Sequence, residues 1–234
     1  MTTEDTAQRI NKLIEAGAHY GYSRSRRHPS IKPFVKETKS RSDFFDPAEI
    51  VLELDKAKEF LAGLSKEGKY ILFVGSKPEA RVLVKEAALS LRQPYVSDRF
   101  IGGALTNFPE IKKRIERLHD LLKKKESGDF ASHTKKERLL IDREIARMDK
   151  NFGGLSDLTN LPAALVIVDP RYENIARTEA SACHIPVVAL SNSDGDIKGI
   201  DYPVVANDSS VATIKVFLEE IGRAISDAKK TDQE

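Results

Sequence analysis

The sequence predicts an α/β protein, a parallel sheet covered by helices on both faces, with a helical hairpin inserted between two of its strands. Three observations carry this. Short, wholly apolar runs alternate with segments of helical period, the pattern of strands buried on both faces. Two neighbouring stretches repeat apolar residues at steps of three and four. Glycine pairs, Gly102-Gly103 and Gly153-Gly154, stand on either side of those stretches, as hinges to a protruding hairpin would.

In chain order, residues 6–17 read as a short helix and 47–64 as a longer one. Between them no helical period exists, and Phe34-Val35 and Phe44-Phe45 suggest two hairpin strands around a charged turn. Residues 70–74 form the first core strand, 80–91 a helix entered through Pro78, and 94–96 a short second strand. Phe108, Ile111, Ile115, Leu118 and Leu122 then define one arm of the hairpin, and Ile141, Ile145, Met148 and Phe152 the other. Ser127-Gly128-Asp129 turns the chain, and Thr134 with Glu137 matches a capping box. The spacing predicts an antiparallel coiled coil. Strands 164–168, 186–190 and 202–205 follow, with helices over 171–183 and 209–228. The chain thus divides into an N-terminal helix and basic arm (1–45), a discontinuous α/β domain (46–107 and 154–228), the inserted hairpin (108–153) and a polar tail (229–234).

Composition bounds the chemistry. The 234 residues, 40% of them hydrophobic, suffice for a core without staples, and the lone Cys183 excludes an internal disulfide. No apolar run is long enough for a membrane helix, and the opening MTTEDTAQRI does not resemble a signal sequence, so a cytoplasmic protein is expected. The net charge of +2 conceals an asymmetry. Between His19 and Arg41 stand Arg24, Arg26, Arg27, Lys32, Lys36, Lys39 and Arg41 against Glu37 alone, a local +6. Tyr20, Tyr22, Phe34, Phe44 and Phe45 are interleaved with them. Guanidinium groups pair with phosphate and rings stack on unpaired bases, so this segment reads as an extended RNA-binding arm. Seven phosphate contacts would give a log–log salt slope on the order of −5 to −6. The hairpin adds Lys112, Lys113, Arg114 and Arg117 on its first arm, partly offset by acids.

Catalytic motifs are lacking, and no cofactor or metal is expected. Gly63 to Tyr70 nearly matches a phosphate-binding loop, but it precedes a strand and lacks the magnesium-binding hydroxyl, so a helix end at Gly63 or Gly68 is the better account. Asn192 to Gly199 resembles a calcium loop without its glycine or bidentate acid, and reads as a polar loop at a strand end. Asp169 and Asp194 also end strands, and Asp169 suits a helix cap. The five histidines have no metal-ligand spacing.

Arg99-Phe-Ile-Gly102-Gly103-Ala-Leu105-Thr106-Asn107-Phe108 resembles the R-W-L-G-G-T-L-T-N-F block of the bacterial small-subunit ribosomal protein S-two family. His19-Tyr-Gly21, Lys32-Pro33, Phe73-Val-Gly75-Ser-Lys77, Asn151-Phe-Gly153-Gly154, Val166-Ile-Val-Asp169, Ile185-Pro-Val-Val-Ala189, Gly199-Ile-Asp201-Tyr202 and Asn207-Asp208 continue the likeness in order, over about residues 8 to 226. The resemblance implies a flavodoxin-like, doubly wound sheet with an inserted coiled-coil hairpin. It implies a non-catalytic constituent of the small ribosomal subunit, whose partners are ribosomal RNA and neighbouring proteins, including the OB-repeat ribosomal protein S-one, with neither DNA nor membrane. By matching position His19, Arg26, Lys32, Lys77, Arg99, Thr106 and Asn107 are candidate RNA contacts. Charge alone adds Arg24, Arg27, Lys112 and Lys113. Arg27, His28 and Ser30 replace the family's tryptophan, asparagine and lysine, and the 191–202 loop is two residues longer and lacks its proline. Two rival classes remain: a nucleotide- or flavin-binding enzyme using Gly75-Ser-Lys77 and the 192–199 loop, and a protein–protein adaptor acting through the hairpin.

Overall fold

A computed structural model describes residues 3–231. The helices are α1 (Thr3–Glu15), α2 (Pro47–Lys66), α3 (Arg81–Leu91), α4 (Phe108–Glu126), α5 (Lys135–Phe152), α6 (Asn174–Ala182) and α7 (Val211–Thr231). The strands are β1 (Tyr20–Ser23), β2 (Val35–Lys39), β3 (Ser42–Phe45), β4 (Ile71–Val74), β5 (Tyr95–Val96), β6 (Ala164–Val168), β7 (Val187–Ser191) and β8 (Tyr202–Val205). The last five strands form one parallel sheet in the order β5-β4-β6-β7-β8. Numbered within that sheet alone the order is 2-1-3-4-5, which doubly wound flavodoxin-like sheets share.

The inner strands β4, β6 and β7 are buried on both faces, and their successive residues feed opposite cores. Ile71, Phe73, Ala164, Val166, Val188 and Leu190 pack into one cluster with α2, α3 and α7. Leu72, Val74, Leu165, Ile167, Val187 and Ala189 pack into the other, beneath α6 and the base of the hairpin. A run such as Ala164–Val168 is therefore apolar throughout because it has no solvent face.

The hairpin helices α4 and α5 fold back on one another through buried Ile111, Ile115, Leu118, Ile145 and Met148. Arg117–Glu144 and Lys125–Asp142 ion pairs cross between them. Both bonds of the Thr134–Glu137 capping box are made. Gly154 is a site of close approach: a Cβ there would lie 2.2 Å from the Tyr95 carbonyl oxygen. Gly154 thus lets the hairpin's end press onto β5, where a hinge was expected.

Four other expectations change. The basic arm is not extended: β1, β3 and β2 form a second, antiparallel sheet, and residues Arg24–Arg26 and Pro29–Phe34 are short 3-10 helices of one and two turns. Its order comes from buried anchors, Ile31, Asp43 and Phe45, which hydropathy alone does not connect. Strand β1 was not foreseen. Helix α6 begins at Asn174, because Asp169 takes a positive φ and its carboxylate accepts the Arg171 and Tyr172 amides, closing a turn before the helix starts. Helix α7 begins at Val211 with Ser210 accepting the Thr213 amide, and continues to Thr231 into the expected tail. Residues 232–234 of that tail lie outside the described residues, as does the start of the opening segment, residues 1–2.

Candidate nucleic-acid interface

The arm is seated on the carboxyl ends of the parallel strands. The Tyr22 amide donates to Ser193 Oγ at 2.8 Å, and the His28 amide donates to the Ser193 carbonyl at 2.8 Å. The Ile197 amide reaches Ser30 Oγ at 3.2 Å, and the Tyr22 hydroxyl meets Ser209 Oγ. Doubly wound folds bind nucleotides at this end of the sheet. Here the chain itself fills it, which argues against the enzyme reading.

Lys77, placed among the RNA contacts by its position, lies under the arm. Its ammonium group is 3.1 Å from Asp169 Oδ2, 3.4 Å from Asp208 Oδ1 and 3.3 Å from both the Asp208 carbonyl and Ser209 Oγ. Its side chain is 13% exposed. Burial works against the ammonium, but the charges of Asp208 and Asp169 outweigh it and lift the lysine above its ordinary pKa. Asp208 is pushed up to about 6, by burial first and then by the Asp169 charge, which Lys77 only partly offsets. Lys77 has no donor left for a nucleic acid; it joins three strand ends and, through Ser209, Tyr22 of the arm.

The arm's cations fall into two groups. Arg27 is half-buried, 3.5 Å from fully buried Asp43. Arg26 lies over the Tyr22 ring, 4.2 Å from its centroid, and reaches Asp194 at 3.0 Å, a carboxylate it shares with Arg171. Lys36 pairs with Asp46 and Lys39 with Glu37. Arg24, Lys32 and Arg41 are exposed and enter no ion pair among the described residues. His19 packs against Tyr20 and Phe44, with Nδ1 buried and unpartnered. Burial lowers its pKa, so the ring is neutral at pH 7.

The remaining candidates sit elsewhere on the molecule. Arg99, Thr106 and Asn107 are exposed on the segment that joins β5 to α4. Buried Glu179 of α6 holds this segment, accepting the Gly103, Leu105 and Thr106 amides at 2.5, 2.9 and 3.3 Å. Glu173, the buried residue that precedes α6, accepts both the amide and the hydroxyl of Ser76, the latter at 2.5 Å. Neither carboxylate was foreseen from the sequence, where an acid at a helical position reads as surface. Lys112 is exposed, and Lys113 is held by Glu110 at 2.6 Å. The 192–199 loop is polar scaffolding: Asp194 and Asp196 face Arg26 and His28, and Asn192 bonds Asp208.

The geometry is that of a platform whose sheet end is covered by a folded basic arm. Comparison with known proteins agrees. The family model described as ribosomal protein S2 matches residues 13–228. The small ribosomal subunit protein uS2 of Phocaeicola vulgatus is 36% identical over 231 residues, spanning 96% of this chain and 83% of that protein. The chain therefore belongs to the ribosomal protein S2 family, and is a structural ribosomal protein rather than an enzyme.

Proposed function

We propose that this protein is built into the small ribosomal subunit in the cytoplasm, where it grips folded ribosomal RNA mainly through backbone phosphates. The observation that carries this is the arm's fold: Arg24, Lys32 and Arg41 are exposed on the 3-10 segments and the turn that flank a small sheet, which is itself fastened to the platform. Arg99, Thr106, Asn107 and Lys112 offer further exposed contacts. Arg26, Arg27 and Lys113 are paired within the protein, and His19 contributes shape rather than charge. The division at residues 45, 107 and 153 separates arm, platform and hairpin. We read the hairpin seam as a short antiparallel coiled coil, supported by the three- and four-residue spacing of its buried positions. Docking of ribosomal protein S-one rests on the family resemblance.

The test is sucrose-gradient sedimentation of lysate together with RNA affinity measured against salt. Co-migration with small subunits, weakened by salt, is expected. Replacing Arg24, Lys32 and Arg41 with Gln removes three contacts and flattens the slope by about 2 to 3 units. A free-protein peak at every salt concentration, or an unchanged slope in the triple variant, defeats the proposal.

A further inference from the structure

A groove of about 780 Å³ lies where the hairpin meets the platform. Ile101, Asn107, Ile111, Arg114, Arg147 and Asn151 are among its lining residues. The ion pair between Arg117 and Glu144, at 2.8 Å, shows which turns of α4 and α5 face each other. One turn nearer the base, three residues from each partner, stand Arg114 and Arg147. Both line the groove, and both are exposed.

Two guanidinium groups facing one groove repel each other, and an anion between them turns that repulsion into attraction. The acids nearby are already engaged. Glu144 belongs to Arg117, and Glu110 is bonded by Lys113 at 2.6 Å. Lys113 is also the chief reason the Glu110 carboxyl stays below its usual range, with Arg114 a minor influence. Arg114 and Arg147 enter no ion pair among the described residues. The carboxamides of Asn107 and Asn151 add neutral hydrogen-bonding groups on the same lining, and half-buried Ile101 and buried Ile111, Met148 and Phe152 give it an apolar floor. Guanidinium pairs match the oxygens of a phosphate group in geometry and charge.

We propose that this groove is a phosphate site, in which Arg114 and Arg147 clamp one backbone phosphate of RNA between the two hairpin helices. This rests on the RNA-binding reading above and extends it from the arm to the hairpin base. It also reassigns the hairpin's contribution from Lys113, which is occupied, to a pair on opposite helices that no linear motif displays.

The experiment uses the full chain, small-subunit ribosomal RNA, and inorganic phosphate as a free probe. RNA affinity is measured against salt for the wild type, for R114Q/R147Q, and for a charge-matched control at the hairpin tip, K135Q/K136Q. Loss of one clamped phosphate weakens binding by about tenfold and flattens the slope by about 0.7 to 0.9. Separately, side-chain Nε–H resonances of arginine are followed by NMR during phosphate titration. Arg114 and Arg147 are expected to shift together. An R114Q/R147Q variant that binds RNA like the wild type, or a tip variant that loses as much, overturns the clamp while leaving the RNA-binding reading intact. A wild type that binds no RNA defeats the earlier reading instead. In that case the joint phosphate shift of the two arginines still establishes an oxyanion site whose source is free phosphate, and its absence removes the site altogether.

Discussion

Replacing Lys77 with Met isolates the junction that holds the arm to the sheet. The ammonium group lies between two carboxylates, Asp169 at 3.1 Å and Asp208 at 3.4 Å, with little solvent access. Methionine keeps most of the apolar stem but leaves two like charges facing each other. Breaking a buried pair from one side costs about 3–5 kcal/mol, a fifth or more of the stability of an ordinary domain. The cost depends on pH in a defined direction. Asp208 has a folded pKa of about 6, above its ordinary 3.8, so between those values the folded state holds more protons than the unfolded one. Stability from this group is complete at low pH and is lost as pH rises through about 6. Without Lys77 the folded pKa moves further up, so the penalty is larger at pH 8 than at pH 5.5. Urea denaturation at both pH values measures it, and K77M/D208N recovers most of the loss at pH 8 because only one carboxylate then remains. A loss below about 1 kcal/mol at pH 8, or no recovery in the double variant, would refute the reasoning. RNA binding supplies a second check: K77M weakens affinity through a loosened arm without flattening the salt slope, and a drop of about 0.7 to 0.9 would make Lys77 a direct phosphate contact after all.

Two further substitutions probe the buried carboxylates. Glu179→Gln exchanges one of the oxygens that accept the Gly103, Leu105 and Thr106 amides for a donor, and costs about 2–3 kcal/mol. Amide hydrogen exchange at those three positions accelerates in the variant, and unchanged protection there would deny Glu179 its hold on the segment. Glu53 is pushed up to about 7, chiefly by burial, and its Oε1 has no partner while Oε2 accepts the Val205 amide at 2.8 Å. Its folded pKa lies above 4.5, so it erodes stability as pH rises from about 4.5 to 7. Glu53→Gln therefore stabilises the protein at pH 8, by at most about 3 kcal/mol, and has little effect at pH 4.5; equal effects at both pH values would contradict this.

The parallel sheet was legible because strands buried on both faces announce themselves as unbroken apolar runs. The hairpin was legible because the buried positions of α4 and α5 keep helical spacing and Thr134 with Glu137 spells its cap. Other features are settled by tertiary contacts that no local pattern encodes. Tyr20–Ser23 becomes a strand because Gly21 lets the chain approach Asp43, where a Cβ would come within 3.1 Å of both its Cβ and its carbonyl oxygen. The turn between β2 and β3 uses Ser40 and Arg41, both with positive φ, at positions where Gly or Asn would have signalled it. Lys77 follows a strand and a glycine, as a phosphate-binding lysine does, and only the fold reveals that two aspartates from later strands already hold it. Charge density singled out the arm correctly as basic. It could not separate Arg24 and Lys32, which face solvent, from Arg27, whose partner Asp43 is fully buried.

That separation alters the physics of the arm. A flexible cationic segment would lose its conformational freedom on meeting RNA, offsetting part of the binding energy. Here the ordering is done during folding, by Ile31, Phe45 and the bonds to Ser193. In the proposed interface the cations then present fixed spacings, so a bound RNA would have to match a shape and not merely supply charge. Pre-pairing also lowers the number of cations free to displace counterions. Arg26, Arg27, Lys36 and Lys39 already have acidic partners, and a phosphate that takes one of them leaves a carboxylate to be neutralised in its place. On the proposed RNA-binding reading, the arm's salt dependence would be set by Arg24, Lys32 and Arg41, about half of what seven free cations would produce. The partner acids, Glu37 and Asp43 within the arm and Asp46 and Asp194 on the platform, hold the four paired cations in one conformation, and on the same reading they would also restrain the segment of +6 from binding every polyanion it meets.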